Sequence, residues 1–336
     1  MNLDGQMDFH FLIASERSGS NLITKMLDAH PDVCGPSPLH ILRVLGMDHY
    51  RYGNLKDPAV WTQFLDDMHV LLSSEFATWA TSFTREELDG MAEVGDLPAL
   101  VRAVFTKEAE ANGKKAVFIK ELWAYRYLPF LEWCFPGAKY VYLVRDPRDM
   151  ALSWRKNDTH PGGLVAGARQ WLKDQSQTLP NFGSLLNAGR GVMVRYEDLV
   201  SNSEKELTRI CELLDIPYHA DMLKFHESDL TKQNAEKNPL WENLAKEVMS
   251  DNFGKFKKTL NAKEIAIIER ICWNVLQYFG YQPFSSIAQI KAVDNAMINN
   301  LDLAERKAFR PKSTIARPHD RVQNRLRRIS GRYPGL

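Results

Sequence analysis

Four short runs of the chain are apolar almost without interruption: Phe9–Ala14, Ala116–Lys120, Lys139–Arg145 and Gly191–Tyr196. Continuous rather than alternating apolar positions suit strands buried on both faces of a parallel sheet. Between these runs, apolar residues recur at helical spacing. Leu22, Ile23, Met26 and Leu27 share one face and stop at His30-Pro31. Ser203 and Glu206 read as a capping box before Leu207, Ile210, Cys211 and Leu214. Asn261 and Glu264 open another helix, with Ile268, Ile271, Cys272, Val275 and Phe279 on one face and Gly280 as stop. Residues 43–115 are helical in pattern and carry no strong strand. The order predicts an α/β fold: a central, mostly parallel sheet flanked by helices.

Composition narrows this picture. The 336 residues are 44% hydrophobic and 25% charged, with a net charge of +1. That excludes a wholly basic nucleic-acid binder and a disordered acidic chain. No apolar run reaches the roughly 18 residues of a transmembrane helix. Residues 1–8 carry no basic side chain, so they do not read as a signal peptide. Cys34, Cys134, Cys211 and Cys272 form no C-x-x-C pair and are expected as reduced core thiols of a cytoplasmic protein. The charge is uneven. From residue 306 onward it is +9, which leaves −8 on residues 1–305. Pro311, Pro318 and Pro334 interrupt this basic stretch, which predicts an extended arm. Arg321, Arg325 and Arg328 recur at helical spacing, so part of it can form a basic amphipathic helix. Three fates are open to the arm: solvated, docked on this or another subunit, or laid on an anionic membrane.

Two motifs carry chemistry. The first strand runs into Glu16-Arg17-Ser18-Gly19-Ser20-Asn21-Leu22 and then a helix. Such a turn aims free backbone N–H groups and a helix dipole at one point, which suits a phosphate. Laid on the mononucleotide P-loop, Ala14 replaces the first Gly, Ser20 the Lys and Asn21 the Ser/Thr, which argues against an ATP-dependent kinase. The second motif runs from Val144 to Arg155. Arg145 ends a strand at the edge where α/β folds bind ligands. Asp146, Pro147 and Asp149 suit the N-cap, N1 and N3 positions of the helix that follows. Ser153 lies one turn further on. An Arg and a hydroxyl so placed can grip one phosphate together.

In this order the motifs resemble those of the sulfotransferases that use 3′-phosphoadenosine 5′-phosphosulfate. Phe11–Leu22 is similar to the family's 5′-phosphosulfate loop. Tyr140–Trp154 is similar to its 3′-phosphate motif. Val194-Arg195-Tyr196-Glu197-Asp198-Leu199 resembles its Tyr-Glu-Asp-Leu strand end, with the Tyr near the adenine. Asn252–Tyr281 carries Lys255, Lys257 and Lys258 where the family tends to place basic cofactor contacts. The resemblance implies a P-loop-NTPase-like sulfotransferase fold over residues 1–285, with 43–115 as a mainly helical insertion that can cover the acceptor. Residues 286–336 would be a C-terminal extension, basic from 306. It implies transfer of a sulfuryl group to a hydroxyl or amine, with no metal. Arg17 would stabilise the leaving phosphate, and Ser18, Gly19, Ser20, Asn21 and Leu22 would supply loop contacts. Arg145 and Ser153 would hold the 3′-phosphate, Tyr196 the adenine, and Lys255 a further cofactor contact.

The acceptor base is less defined. Cytosolic members place a His after the second major strand, where this chain has Lys120-Glu121-Leu122. Other branches place a Glu after the first helix, where it has Cys34-Gly35-Pro36-Ser37-Pro38-Leu39-His40. The candidates are therefore His40 and Glu121, with Lys120 able to touch the transferring group. The expected acceptor is a small metabolite, saccharide or glycolipid, and the expected partners include a second subunit or an anionic membrane reached through the arm. A P-loop nucleotide phosphotransferase and a non-catalytic nucleotide-binding scaffold are the alternatives.

Overall fold

A computed structural model describes residues 7–237, 239–310 and 317–330. Five parallel strands form one sheet in the order β2-β3-β1-β4-β5. They are β1 (Asp8–Ala14), β2 (Val33–Cys34), β3 (Ala116–Lys120), β4 (Lys139–Val144) and β5 (Gly191–Arg195). Four were anticipated. The fifth, β2, pairs only Val33 with Ala116 and Cys34 with Val117, too short a run to show a period. Both faces of the sheet are covered, which explains the unbroken apolar runs. Phe11 and Ile13 of β1 and Tyr140 and Tyr142 of β4 enter one core; Leu12 and Ala14 and Val141 and Leu143 enter the other.

The chain leaves β1 for β2 and β3 on one side and returns for β4 and β5 on the other. The sheet therefore splits its connections beside β1, the place where α/β folds open a crevice. Register puts Leu12 opposite Lys120, Ala14 opposite Leu143 and Val144 opposite Arg195. The turns after β1, β3, β4 and β5 thus leave one edge of the sheet together.

Between residues 41 and 111 the chain is helical, as its pattern predicts. Its aromatic residues mostly serve the core: Trp61, Phe64 and Phe83 are buried in it, and Tyr50 is exposed. Asn261 and Glu264 form the expected capping box at the start of the helix Ala262–Leu276. The box at Ser203 does not form. Helix Tyr196–Ser201 runs almost directly into helix Ser203–Leu214, so Ser203 Oγ donates to Leu199 O at 2.7 Å and Glu206 pairs with Arg209.

The C-terminal stretch departs from expectation only in part, because Arg321, Arg325 and Arg328 do lie on a helix, as their spacing allows. It is not an extended arm over its described residues, but two helices, Asn295–Ala308 and Pro318–Ser330. Pro318 sits at the start of the second helix, where its missing N–H costs nothing. Val322 and Leu326 of that helix are buried in the main core, so it docks on its own chain rather than lying free in solvent. Pro311, Lys312, Arg332 and Pro334 lie outside the described residues.

Candidate active site

The loop after β1 enters helix α1 (Ser20–Asp28) through two left-handed residues, Arg17 at φ 65° and Gly19 at φ 87°. Gly19 is required for a second reason. A Cβ there would lie 2.4 Å from the Tyr196 ring, so loop and ring can touch only with hydrogen at that position. The first amides of α1 have no partner within the helix and point out of its end.

Arg145, emerging from β4, ties the surrounding pieces together. Its Nη1 donates to Arg17 O at 3.1 Å and its Nη2 to Asn252 O at 3.2 Å. Its guanidinium lies 4.3 Å over the Tyr196 ring. Asn252 Nδ2 donates to Tyr196 Oη at 2.7 Å. Asp149, in the helix Pro147–Arg155, accepts from the backbone N–H groups of Gly254 and Phe256 and so pins the 252–256 loop. Asp146 is the N-cap of this helix, accepting from Arg148 N at 2.9 Å. Arg17 Nε donates to Ser153 Oγ at 3.1 Å. Arg17, Gly19, Ser20, Asn21, Leu22, Arg145, Ser153 and Tyr196 line one cleft, as a single donor site would require. Ser18 is fully buried beneath the loop. Lys255 is exposed and lines neither this cleft nor the neighbouring cavity; Asn252, three residues earlier, lines the cleft.

A second cavity, of about 430 Å³, opens beside the cleft and shares Arg17, Ser20, Asn21 and Trp241 with it. It brings together His40 and Lys120, two residues 80 positions apart, with Arg43. Glu121 stands behind His40 rather than in the cavity. Helix α2 (Ile41–Asp48) has His40 at its N-cap with φ 64° and no side-chain cap of its own. The Glu121 carboxylate serves that helix end instead, accepting from Arg43 N at 3.4 Å, and lies 3.6 Å from His40 Nδ1. The two base candidates are thus one unit, an imidazole with a carboxylate behind it.

Charge and burial set the protonation of this group. Burial, then the Arg43 and Lys120 cations, push the His40 imidazole well below its ordinary value, so it is neutral. Burial also lowers Lys120, although Glu121 and Glu16 pull the other way. Burial raises Glu121 against the opposing pull of Lys120. Arg17 is lowered by burial and then by Arg145, and stays a cation.

The reading from sequence missed several residues here. Glu16 pairs with His160, with Oε2 to Nε2 at 2.5 Å. Burial would raise the Glu16 carboxyl, but His160, then Arg43 and Lys120, outweigh it and hold it below its ordinary value. Trp123 and Trp241 join Phe76, an aromatic of the 43–115 stretch that the sequence offered as an acceptor wall, in lining the cavity. Glu16 stood beside Arg17 in the loop and was the one of the missed residues with a local signal; the others come together only through the fold.

A bound donor fits these residues on two observations. Ser18 Oγ and Arg145 Nε are buried polar atoms without a hydrogen-bond partner among the described residues, as groups awaiting an anion would be. The Gly19–Tyr196 contact leaves an open helix end beside an aromatic face.

Comparison with known proteins gives the class. The model of the sulfotransferase family matches residues 10–220. The chain is 28% identical to protein-tyrosine sulfotransferase A of Caenorhabditis elegans, over 82% of this chain and 67% of that protein. It is 25% identical to protein-tyrosine sulfotransferase 1 of Danio rerio, over 91% and 81% respectively. The sulfotransferase domain of the Synechococcus PCC 7002 olefin synthase has a similar fold, with a TM-score of 0.55 at 20% identity, covering 82% of this chain and 96% of that one. The chain belongs to the sulfotransferase family. It is an enzyme whose sulfuryl donor is 3′-phosphoadenosine 5′-phosphosulfate. The phosphotransferase and scaffold alternatives give way to this.

The cytoplasmic placement expected from the sequence is overturned by the same relatives. They are named protein-tyrosine sulfotransferases, and on that ground the cytoplasmic placement does not stand. Among the described residues, no helix is long and apolar enough to cross a membrane. The four cysteines are buried free thiols, as expected, but that does not fix the compartment.

Proposed function

We propose that this enzyme transfers a sulfuryl group to the phenolic hydroxyl of a tyrosyl residue, rather than to the small metabolite, saccharide or glycolipid expected from the sequence. The observation that carries this reading is the meeting, at Arg17, of the donor cleft with a cavity walled by Phe76, Trp123 and Trp241. Flat aromatic walls suit a phenol ring. The names of the relatives support the same acceptor.

The donor, when bound, supplies an activated sulfuryl group on a phosphate leaving group. The chain's own residues do the rest. Arg145 and Ser153 hold the 3′-phosphate, the amides of residues 18–22 hold the 5′ end, and Tyr196 packs on the adenine. Arg17 faces both cavities and stabilises charge as it builds between donor and acceptor. Lys120 adds a second cation from β3. His40, held neutral, takes the phenolic proton. Glu121 orients its ring and balances the charge it gains.

Calorimetry with adenosine 3′,5′-bisphosphate tests the donor half. Metal-independent binding, lost in Arg145→Ala, is expected. Tight binding of ATP-Mg²⁺ without binding of the bisphosphate would sink it. Sulfate transfer to tyrosyl peptides, compared with saccharide and lipid hydroxyls, tests the acceptor half.

A further inference from the structure

The acceptor cavity is closed by residues from the far end of the chain. The C-terminal helix Pro318–Ser330 is fastened at several points. Val322 and Leu326 are buried in the core beside α2. Gln323 Nε2 donates to Asp48 Oδ2 at 2.8 Å, and Arg325 pairs with Asp67. These contacts fix the axis of the helix and direct its first residues over the cavity.

Arg317, His319 and Asp320 line that cavity, and none of them lines the donor cleft. The Arg317 guanidinium lies 4.9 Å from the centre of the Phe76 ring. The His319 ring meets His40 edge to face, with 4.4 Å between centroids. Asp320 Oδ1 stands 3.8 Å from Arg43 Nη2. Two buried polar atoms around this junction have no hydrogen-bond partner among the described residues, His319 Nδ1 and Arg43 Nε, whereas His40 Nδ1 faces the Glu121 carboxylate. Buried polar atoms are nearly always satisfied. A pair of orphans around one cavity marks a place where a ligand completes the bonding. His319 is only 3% exposed, so water alone serves it poorly.

We propose that Arg317 and His319 are specificity-determining residues that bind the acceptor beyond its accepting ring, so that the basic C-terminus is part of the substrate site. This rests on the acceptor cavity proposed above. The accepting hydroxyl lies toward Arg17 and His40, and the ring rests against the wall that Phe76 and Trp241 form together, their own centroids 5.5 Å apart. The groups flanking the ring meet the Arg317 donors and the His319 imidazole. A small phenol does not reach them, whereas a tyrosyl residue within a peptide does. The segment therefore discriminates by acceptor size rather than by contributing to the chemical step.

The test compares Arg317→Ala and His319→Asn with wild type on two acceptors, a tyrosyl peptide and a small phenol such as p-nitrophenol. The expected result is a loss of about tenfold or more in kcat/KM on the peptide, the scale of one lost charge-assisted hydrogen bond, carried mainly by KM. On the small phenol the loss is smaller, so the peptide-to-phenol ratio of kcat/KM falls severalfold even though His319 also packs on His40, and affinity for adenosine 3′,5′-bisphosphate is unchanged. Wild-type kinetics on both acceptors would overturn the inference, and so would an equal loss on both. Ile210→Ala, in the core on the other face of the sheet, controls for a general loss of stability: it should lower the melting temperature and leave the peptide-to-phenol ratio alone. If the wild type prefers another hydroxyl, the acceptor proposed above falls. The variants are then compared on that acceptor and on its smallest accepting fragment, so the two failures stay distinct.

Discussion

The donor cleft and the acceptor cavity meet at Arg17 and are built in opposite ways. The cleft draws its donor-binding groups from residues 17–22, 145–153 and 196, at the carboxyl ends of β1, β4 and β5, and is closed by the segment 241–252. Its chemistry is largely that of backbone: a helix end, a left-handed glycine and an Arg locked by carbonyl oxygens. The cavity draws on separated places, from Glu16 and His40 to Lys120, His160, Trp241 and His319. Its chemistry is that of side chains, several of them buried and ionisable. A phosphate has one shape, so a fixed loop can hold it. An acceptor has no fixed shape, and its site is assembled from whatever the fold brings near the reacting end of the donor.

Changes on the two sides should therefore separate in the kinetics, except at the cation they share. Arg17→Ala carries the largest expected effect. It removes the cation common to both cavities and its bond to Ser153, and kcat should fall by about 10²–10³. A drop confined to donor affinity, with kcat intact, would make Arg17 a binding residue only and dissolve the shared centre.

His40→Ala comes next and tests the acceptor side alone. Loss of a positioned proton acceptor predicts a fall of about 10² in kcat with bisphosphate affinity preserved. Glu121→Gln should fall less, since the amide can still cap α2. A His40→Ala enzyme with near-wild-type turnover would remove it from the chemistry and turn attention to the Glu16–His160 pair.

Arg145→Ala probes the cleft alone. The bisphosphate should bind about 10- to 100-fold more weakly, the range for a charge-assisted contact, while acceptor KM at saturating donor stays put. Because Arg145 also holds Arg17 O and Asn252 O, a melting curve belongs beside the titration. If acceptor KM moved as much as donor affinity, the two sides would be one site.

The same contrast explains what could be read from the chain before its fold. β1, β3 and β4 announce themselves because their residues are buried on both sides, and the half-buried edge strand β5 carries a similar apolar run. The donor loop is legible because its function lies in a contiguous strand–turn–helix. His40 and Glu121 were found as alternatives, but their pairing depends on α2 starting against the end of β3, which no local pattern states. Lys255 lay near the right place in sequence, but its helix start turns it to solvent while Asn252 faces in. The C-terminal helix misled for a related reason. Its many Arg residues describe its outer face, whereas Val322 and Leu326, which dock it, are two apolar positions in a polar stretch.

Asp174 gives the smallest and most specific test of how the acceptor side is braced. It is 2% exposed on the long helix Leu164–Asn187 and accepts from Tyr125 Oη and Gln170 Nε2, both at 2.6 Å. Tyr125 follows directly on the 120–123 segment that walls the cavity, so this bond holds the wall to the helix layer. Burial raises the Asp174 carboxyl from 3.8 to about 6, against the hydrogen bonds that favour its ionised form. The folded state then holds a proton that the unfolded chain has released between about pH 4 and 6. Stability from this group is complete below the unfolded value and is lost as pH rises through the folded one. Asp174→Asn keeps an acceptor for Tyr125 and removes the titration. Relative to wild type, the variant should gain stability across that window, by about 2–3 kcal/mol at most, as read from urea midpoints at pH 4, 5, 6 and 7. A constant difference over the whole range would mean that the carboxyl is already ionised in the fold. The wall would then be held by a buried charge, and the division between a backbone-built cleft and a neutral-braced cavity would lose one of its supports.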